Sequence, residues 1–313
     1  MFKYTAKEIN KIANETNFNI NMCEKVLRLF SILDFLNNSE FTNLLALKGG
    51  TAINLFMLNL PRLSVDIDLD FTLSTNRNDM LSYREKIDSL IRNFMENEGY
   101  NLSNKSKFVH TLDSYVYSYT TTSGGTDILK IEINYSNRVH ILKTNIKKST
   151  NMLGETVSIN CLADAELIGS KLNALIIRTT PRDVYDVYNL FHSNAITDIN
   201  LIRKISIFYV CLGTDIPINF VDILKNTLDK MEALSYHKIK KTLIPVLHKG
   251  IKFDVNETIT YVSTIVKNMF VLDSNDIEFI NNINNKLFKP DILFKNYKIE
   301  DISCHPMGLW KVK

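Results

Sequence analysis

Residues 44–71 read LLALKGGTAINLFMLNLPRLSVDIDLDF, and this stretch decides the fold of the first half of the chain. The apolar run Leu44–Leu47 is typical of a short buried strand, which the pair Gly49-Gly50 ends. A helix is expected over 51–58, directly after that turn. Apolar and polar residues then alternate strictly over 64–73, which predicts a strand with one buried face and one polar face.

Three carboxylates, Asp66, Asp68 and Asp70, share the polar face of that strand. Alternate side chains of a strand lie about 7 Å apart, so these charges repel one another. A divalent cation with oxygen ligands would relieve the repulsion, whereas the alternative without chemistry is a solvated strand face. An EF-hand loop is excluded, because its sixth position would be Phe71 instead of Gly and its twelfth Arg77 instead of Glu.

The turn before this strand has the features of a phosphate-binding turn. Gly49-Gly50-Thr51 lies between a predicted strand and a predicted helix, where free backbone N–H groups and the helix dipole attract anions. It matches neither GxxxxGK[ST] nor GxGxxG, which argues against Walker and Rossmann sites. A glycine turn followed by an Asp-x-Asp strand pairs a phosphate cradle with a metal site.

The rest of the chain divides into a mixed first half and a helical second half. Its 313 residues, 45% hydrophobic and 23% charged, are typical of a globular protein of about two domains. Further strands are predicted near 107–112, 114–121, 127–135 and 157–162. Helices are predicted near 20–37, 78–97, 163–178, 182–192, 199–212, 220–232, 236–247, 256–270 and 275–286. The sequence thus predicts an α+β protein, with a mixed sheet flanked by helices over 1–160 and an all-helical lobe over 161–313.

Composition excludes several classes of protein. The net charge of +3 is too small to indicate a nucleic-acid partner by itself. No apolar run reaches the length of a membrane span and no signal peptide begins the chain, so we expect a cytoplasmic protein without a membrane partner. The four cysteines form no CxxC pair and the six histidines no HExxH motif, which argues against a disulfide scaffold and a metalloprotease.

The motifs resemble a known family. Gly49-Gly50-Thr51 followed by Ser64-Val65-Asp66-Ile67-Asp68 resembles the first motif of polymerase-β-like nucleotidyltransferases. The fuller string KGGTAINLF…PRLSVDIDLDF is similar to the AbiEii/AbiGii toxin family, the nucleotidyltransferase half of type IV toxin–antitoxin (abortive infection) pairs. Downstream, ADAELIGSKLNAL (163–175) and RDVYDVYNL (182–190) resemble the helical motifs of that family.

The resemblance implies a set of site residues, with the first domain forming the nucleotidyltransferase head and the second contributing nucleotide contacts. The catalytic residues it implies are Asp66, Asp68, Lys171 and Asp183. The nucleotide-binding residues are Gly49, Gly50, Thr51, Ser64, Arg178 and Arg182. The metal ligands are Asp66, Asp68 and Glu132, with Asp70 as the rival third carboxylate. Lys171 and Arg178 are seven residues apart, which places them on nearly the same face of a helix.

The implied activity is transfer of a nucleoside monophosphate from an NTP to an acceptor hydroxyl, with release of pyrophosphate. Mg²⁺ or Mn²⁺ would assist, and the expected acceptor is the 3′ end of tRNA. The partner would be a separately encoded antitoxin that need not bind the toxin. Two alternatives stay open: a nucleotidyltransferase acting on a protein or small molecule, and a non-catalytic module that binds GTP or another NTP.

Two stretches without acidic residues favour an RNA acceptor, because clustered cations can follow a phosphate backbone. The first contains Arg138, His140, Lys143, Lys147 and Lys148. The second contains His237, Lys238, Lys240, Lys241, His248, Lys249 and Lys252.

Overall fold

A computed structural model describes residues 2–251 and 253–313, so Lys252 of the second basic stretch lies outside the described residues. The described residues form two compact units. Among the described residues, unit 1 consists of 2–139, Thr144–Cys161 and Val246–Gly250. Unit 2 consists of His140–Lys143, Leu162–Pro245, Ile251 and 253–313.

Unit 1 is built on one mixed sheet of eight strands. The strands are β1 (Leu45–Lys48), β2 (Asp66–Phe71), β3 (Asn101–Leu102), β4 (Lys107–Val109), β5 (Leu112–Thr120), β6 (Thr126–Asn134), β7 (Asn145–Thr150) and β8 (Thr156–Cys161). Their order is β3-β5-β6-β2-β1-β8-β7, and β4 pairs with β5. The helices of this unit are α1 (Ala6–Thr16), α2 (Ile20–Asn37), α3 (Gly49–Phe56) and α4 (Arg77–Asn97).

The position of β2 near the middle of this sheet determines which side chains meet. It runs antiparallel to β1, with Lys48 opposite Asp68, and parallel to β6, with Asp68 opposite Glu132. Side chains of directly opposed residues point to the same face of a sheet. Lys48, Asp68 and Glu132 therefore share one face, while Ile67 and Leu69 are fully buried on the other.

Unit 2 is helical. Its helices are α5 (Asp164–Arg178), α6 (Pro181–His192), α7 (Ile199–Gly213), α8 (Phe220–Glu232), α9 (Tyr236–Thr242), α10 (Val255–Met269), α11 (Ser274–Asn284), α12 (Pro290–Leu293) and α13 (Pro306–Lys311). Gly169 allows α5 to pack closely on α7, because a Cβ atom at this position would lie 2.5 Å from Cγ2 of Ile205.

Two short segments belong to one unit although the residues on either side of them in the sequence belong to the other. His140–Lys143 packs with the helices of unit 2, where the buried carboxylate of Glu166 accepts hydrogen bonds from the backbone N–H groups of Ile141 (3.2 Å) and Leu142 (2.9 Å). A buried acid with several donors is satisfied only when those donors stay in place. The segment is therefore fixed by Glu166.

The second segment, Val246–Gly250, belongs to unit 1. The carbonyl of Val246 accepts a hydrogen bond from the N–H of Leu63 at 2.8 Å. The ring of His248 stacks on that of Phe18, with 3.8 Å between their centroids. His248 is thus part of the packing of unit 1 and not of a continuous basic surface.

The α+β class predicted from the sequence is confirmed. Some element boundaries were wrong: the helix expected over 236–247 ends at Thr242, and a short 3₁₀ helix, Ile244–Val246, follows. Pro245 explains the early end, since proline cannot donate the helical hydrogen bond and its ring disfavours the preceding turn. Strands β3 and β7 were not predicted, and β4 ends three residues earlier than expected. None of the described helices is both long and apolar enough to cross a membrane.

Candidate active site

The glycine turn lies directly against the carboxylate of Asp68. Gly49 has φ +71°, in the left-handed region that residues with a Cβ rarely adopt. A Cβ atom at this position would stand 2.5 Å from Oδ2 of Asp68. Both the backbone conformation and the space available therefore require glycine here.

The first turn of α3 is suited to an anion. The N-cap residue, Lys48, makes no side-chain cap hydrogen bond, so its side chain does not compete with a phosphate oxygen for the N–H groups that begin the helix. A Cβ at Gly50 would lie 2.7 Å from Nη2 of Arg62, whose side chain is buried beneath the turn. Arg62 adds positive charge to the cradle, and the sequence analysis had not selected it.

Thr51 and Ser64 hold the turn to the start of β2. Their hydroxyl oxygens are 3.0 Å apart, and the hydroxyl of Thr51 also lies within hydrogen-bonding distance of the carbonyl of Asp66. Both residues are buried. Their hydroxyls thus fasten the turn to the residues before and at the start of β2. Their role as direct nucleotide ligands stays a prediction.

Asp66 and Asp68 are half-buried and close enough to repel each other. Burial raises the pKa of Asp68 to about 6, and the charges of Asp66 and Glu132 contribute in the same direction. Lys48 and Lys130 oppose this shift without cancelling it. Burial and the two neighbouring carboxylates thus outweigh the two lysines at Asp68.

The two candidates for the third carboxylate differ in their surroundings. Asp70 is only 2% exposed, and its Oδ1 lies 2.6 Å from Nζ of Lys48, so its charge is already paired. Glu132 lies opposite Asp68 in register and is partly exposed, with Nζ of Lys130 at 2.9 Å. This arrangement favours Glu132.

The carboxylates Asp66, Asp68 and Glu132 are the kind of ligand that a divalent cation takes, but their side chains do not converge on one point. Oxygen donors are what Mg²⁺ and Mn²⁺ prefer, and a cation would stabilise the ionised form of Asp68, which burial and the neighbouring carboxylates disfavour. Across residues 2–251 and 253–313, no three His, Cys, Asp or Glu side chains are already grouped to hold a metal. Glu132 would have to turn from Lys130 toward Asp68 to complete the set.

Unit 2 contains a second cluster of predicted site residues, centred on the fully buried carboxylate of Asp183. It accepts two hydrogen bonds from the guanidinium of Arg178, both at 2.8 Å, one from Nζ of Lys171 at 3.2 Å, and two from Thr180. Burial alone would raise the pKa of Asp183, but Lys171 and Arg178 hold it well below its usual value. The carboxylate is therefore ionised at any physiological pH.

The cations of this cluster differ in accessibility. Lys171 is 5% exposed and also pairs with Asp186, at 2.8 Å from its Oδ2. The side chain of Arg178 is 60% exposed although it is held by Asp183. Arg182 donates from Nε to the carbonyl of Thr242 at 2.7 Å. Of these predicted residues, Arg178 is the best placed to contact a ligand.

A glycine turn that begins a helix, an Asp-x-Asp strand against it and a carboxylate in register on the next strand define a nucleotidyltransferase head. The family model described as "Nucleotidyl transferase AbiEii toxin, Type IV TA system" matches residues 31–257, more than half of the chain. The protein therefore belongs to the AbiEii family of nucleotidyltransferase toxins.

One solved structure shows how far the fold likeness extends. The chain is similar to MenT4, a nucleotidyltransferase toxin from Mycobacterium tuberculosis H37Rv, with a TM-score of 0.64 and 14% identity over 89% of this chain and 94% of that one. At this identity the likeness shows the fold alone. No curated protein sequence matches.

The family and the enzyme class predicted from the sequence are thus confirmed. The protein is a nucleotidyltransferase, a class that uses an NTP and a divalent metal, and its family implies an antitoxin. The individual site residues stay predictions.

Gly49→Ala should lower activity about 100-fold, because a displacement of about 1 Å at a reacting centre costs that much. The added Cβ must displace Asp68. The left-handed backbone conformation should also lower the free energy of unfolding by about 1–2 kcal/mol. Turnover of NTP and thermal unfolding measure the two effects. The matched control is Gly124→Ala, where φ is +86° but no described atom lies within 4 Å of the new Cβ. Equal losses of activity in both variants would contradict the argument.

Proposed function

We propose that this protein transfers a nucleoside monophosphate from an NTP to the 3′ end of an RNA, with tRNA as the acceptor and Mg²⁺ as the cation. The observation that carries the proposal is the position of Asp68, between the glycine turn and Glu132. A phosphate bound at the turn would lie beside the carboxylates that hold the cation.

The residues of unit 1 have separate roles in this proposal. The N–H groups of the first turn of α3, with the charge of Arg62 behind them, bind the triphosphate. Asp66 and Asp68 would hold the cation, and Glu132 would join them. When bound, the cation neutralises charge on the phosphates and lowers the pKa of the attacking hydroxyl. The acceptor oxygen forms a bond to the α-phosphorus, the bond to pyrophosphate breaks, and the hydroxyl proton passes to water.

Within unit 2, Arg178 is the residue proposed to bind phosphate. A guanidinium binds phosphate oxygens through paired N–H donors, and Asp183 occupies one edge of it while leaving the side chain largely exposed. Lys171 is buried, so it acts through Asp183. Lys171 and Asp183 are accordingly positioning residues, which orient Arg178.

Modification of the 3′ end of tRNA would make the protein a toxin. An added nucleotide at that end blocks aminoacylation, and translation stops. The antitoxin that the family implies would counteract this effect without having to bind the toxin.

The test is a transfer assay with purified protein, total tRNA, Mg²⁺ and each α-³²P-labelled NTP in turn, beside the Asp68→Asn variant. We expect label on tRNA with one or two of the nucleotides and none with the variant. Label on a protein would identify a protein-modifying enzyme instead. Absence of label on any acceptor, with NTP binding retained, would overturn the proposed activity.

A further inference from the structure

Helix α9, the short helix YHKIKKT over Tyr236–Thr242, presents a continuous basic face. His237, Lys238, Lys240 and Lys241 are exposed, and Ile239 is buried. At about 100° per residue, these four side chains fill an arc of about 160° on the side opposite Ile239. The helix is therefore anchored by one apolar side chain and offers nearly half of its circumference as positive surface.

The three lysines of this face are not paired with acids within the described part of the chain. Lys25, Lys171 and Lys204, by contrast, each form an ion pair with an aspartate. Helix α9 itself contains no acidic residue. Counter-charge for the face must therefore come from solvent ions or from a ligand.

An exposed aromatic ring borders the same face. Tyr236 is 67% exposed and lies one turn before Lys240, so the ring and the ammonium group are neighbours on the helix. Aromatic rings next to cations are the usual means of binding single-stranded nucleic acid, since a base stacks on the ring while its phosphates meet the cations. A duplex would not offer an unstacked base to this ring.

Helix α9 is also fixed to the cluster around Asp183. Its last residue, Thr242, accepts the hydrogen bond from Arg182 at 2.7 Å, and Arg182 precedes Asp183 in the first turn of α6. A strand bound along α9 would thus lie close to the residues proposed to position Arg178.

We infer that α9 is the surface of unit 2 that binds the acceptor, taking the sugar–phosphate backbone of its single-stranded 3′ end on the lysines and stacking a base on Tyr236. This inference rests on the proposed function and specifies where the RNA is held. The binding is electrostatic and sequence-tolerant, so the choice of acceptor would be made elsewhere.

The test compares two triple variants of the full chain. In the first, Lys238, Lys240 and Lys241 are each replaced by Gln; in the control, the exposed Lys286, Lys289 and Lys295 of the same unit are replaced in the same way. Binding of a short fluorescent single-stranded RNA is measured by anisotropy against salt concentration. For the first variant we expect the slope of log affinity against log salt to fall by about 2, since each phosphate contact on a single strand contributes about 0.7.

Tyr236→Ala should weaken RNA binding at least about fivefold at fixed salt, with the salt slope unchanged, because stacking is not a counterion effect. A Lys→Arg triple should keep the slope. NTP binding and thermal unfolding should match the unmodified protein in all variants, because none of these side chains packs in the core of unit 2.

The outcomes separate this inference from the proposed function. Two results would overturn the inference and leave the proposed function intact. The first is an equal fall in the salt slope for both triple variants. The second is an α9 triple variant that labels tRNA with an unchanged KM for tRNA. An unmodified protein that neither binds nor labels RNA would overturn both.

Discussion

Asp68→Asn should abolish nucleotide transfer and at the same time stabilise the ligand-free protein. The loss of activity follows because the variant removes one of the two carboxylates proposed to hold the cation. A cation of this kind supplies several kcal/mol of transition-state stabilisation, which corresponds to a loss of about 1,000-fold or more. The gain in stability follows because the same change removes a charge that burial and Asp66 disfavour.

The gain should depend on pH. The pKa of Asp68 is about 6 in the folded protein against an ordinary 3.8, so the folded state binds the proton more tightly than the unfolded chain. The free energy of unfolding therefore falls as the pH rises from about 4 to 6 and stays lower above that. At pH 7 the variant should be more stable by about 2 kcal/mol after allowance for solvent screening, and at pH 4 the difference should vanish.

Asp70→Asn is the matched control, since Asp70 lies two residues away on the same strand face. Its charge is paired with Lys48 in a buried contact, so its removal should destabilise the protein. Thermal unfolding of both variants at pH 4 and pH 7, without added metal, makes the comparison. If Asp68→Asn also lost stability at pH 7, Asp68 would be a structural residue and not part of a site of repulsion.

Lys171→Met should produce the largest loss of stability, about 3–5 kcal/mol, which is the usual cost of removing one partner from a buried ion pair. Asp183 and Asp186 are both fully buried, and Lys171 contacts each of them. Methionine preserves the packing volume and removes only the charge. Chemical denaturation should show the loss directly, and activity should fall with the folded fraction.

Arg178→Gln provides the contrast in the same cluster. The side chain of Arg178 is mostly exposed, so its loss should cost about 1 kcal/mol or less in stability. If it contacts phosphate, the KM for NTP should rise by about tenfold or more, in line with a lost charge-assisted hydrogen bond. A folded Lys171→Met protein with an unchanged KM for NTP but a kcat reduced to background would contradict the positioning role and would restore Lys171 as a catalytic residue.

Local pattern alone predicted the strand and the turn that carry the candidate site. The alternation of Ser64 to Phe71 placed three carboxylates on one strand face, and Gly49-Gly50 marked the turn before it, because both features depend on residues near in sequence. The helical period after Ala163 likewise predicted an all-helical second half. The family resemblance rested on the same contiguous strings.

Strand order and ion pairing, which local pattern does not predict, determine the environment of each carboxylate. The sequence left Asp70 and Glu132 as rivals for the third carboxylate. The tertiary structure gives them different surroundings, since Lys48 pairs with Asp70 while β6 brings Glu132 into register with Asp68; the choice of Glu132 stays a prediction. Pattern does not encode which distant strand becomes a neighbour, because that depends on how the whole sheet packs.

The same distinction applies to the basic stretches and to Lys171. Each basic stretch is contiguous in sequence but divided between the two units. In the first, Glu166 holds His140–Lys143 in unit 2. In the second, His248 stacks on Phe18 in unit 1. Helical spacing put Lys171 and Arg178 on one face, but only the packing of α5 and α6 buried the first and left the second exposed. Sequence determined which charges and faces exist, through periodicity over a few residues. The tertiary structure determined which of those charges are buried, paired or accessible, because burial and pairing are set by contacts between residues far apart in the chain.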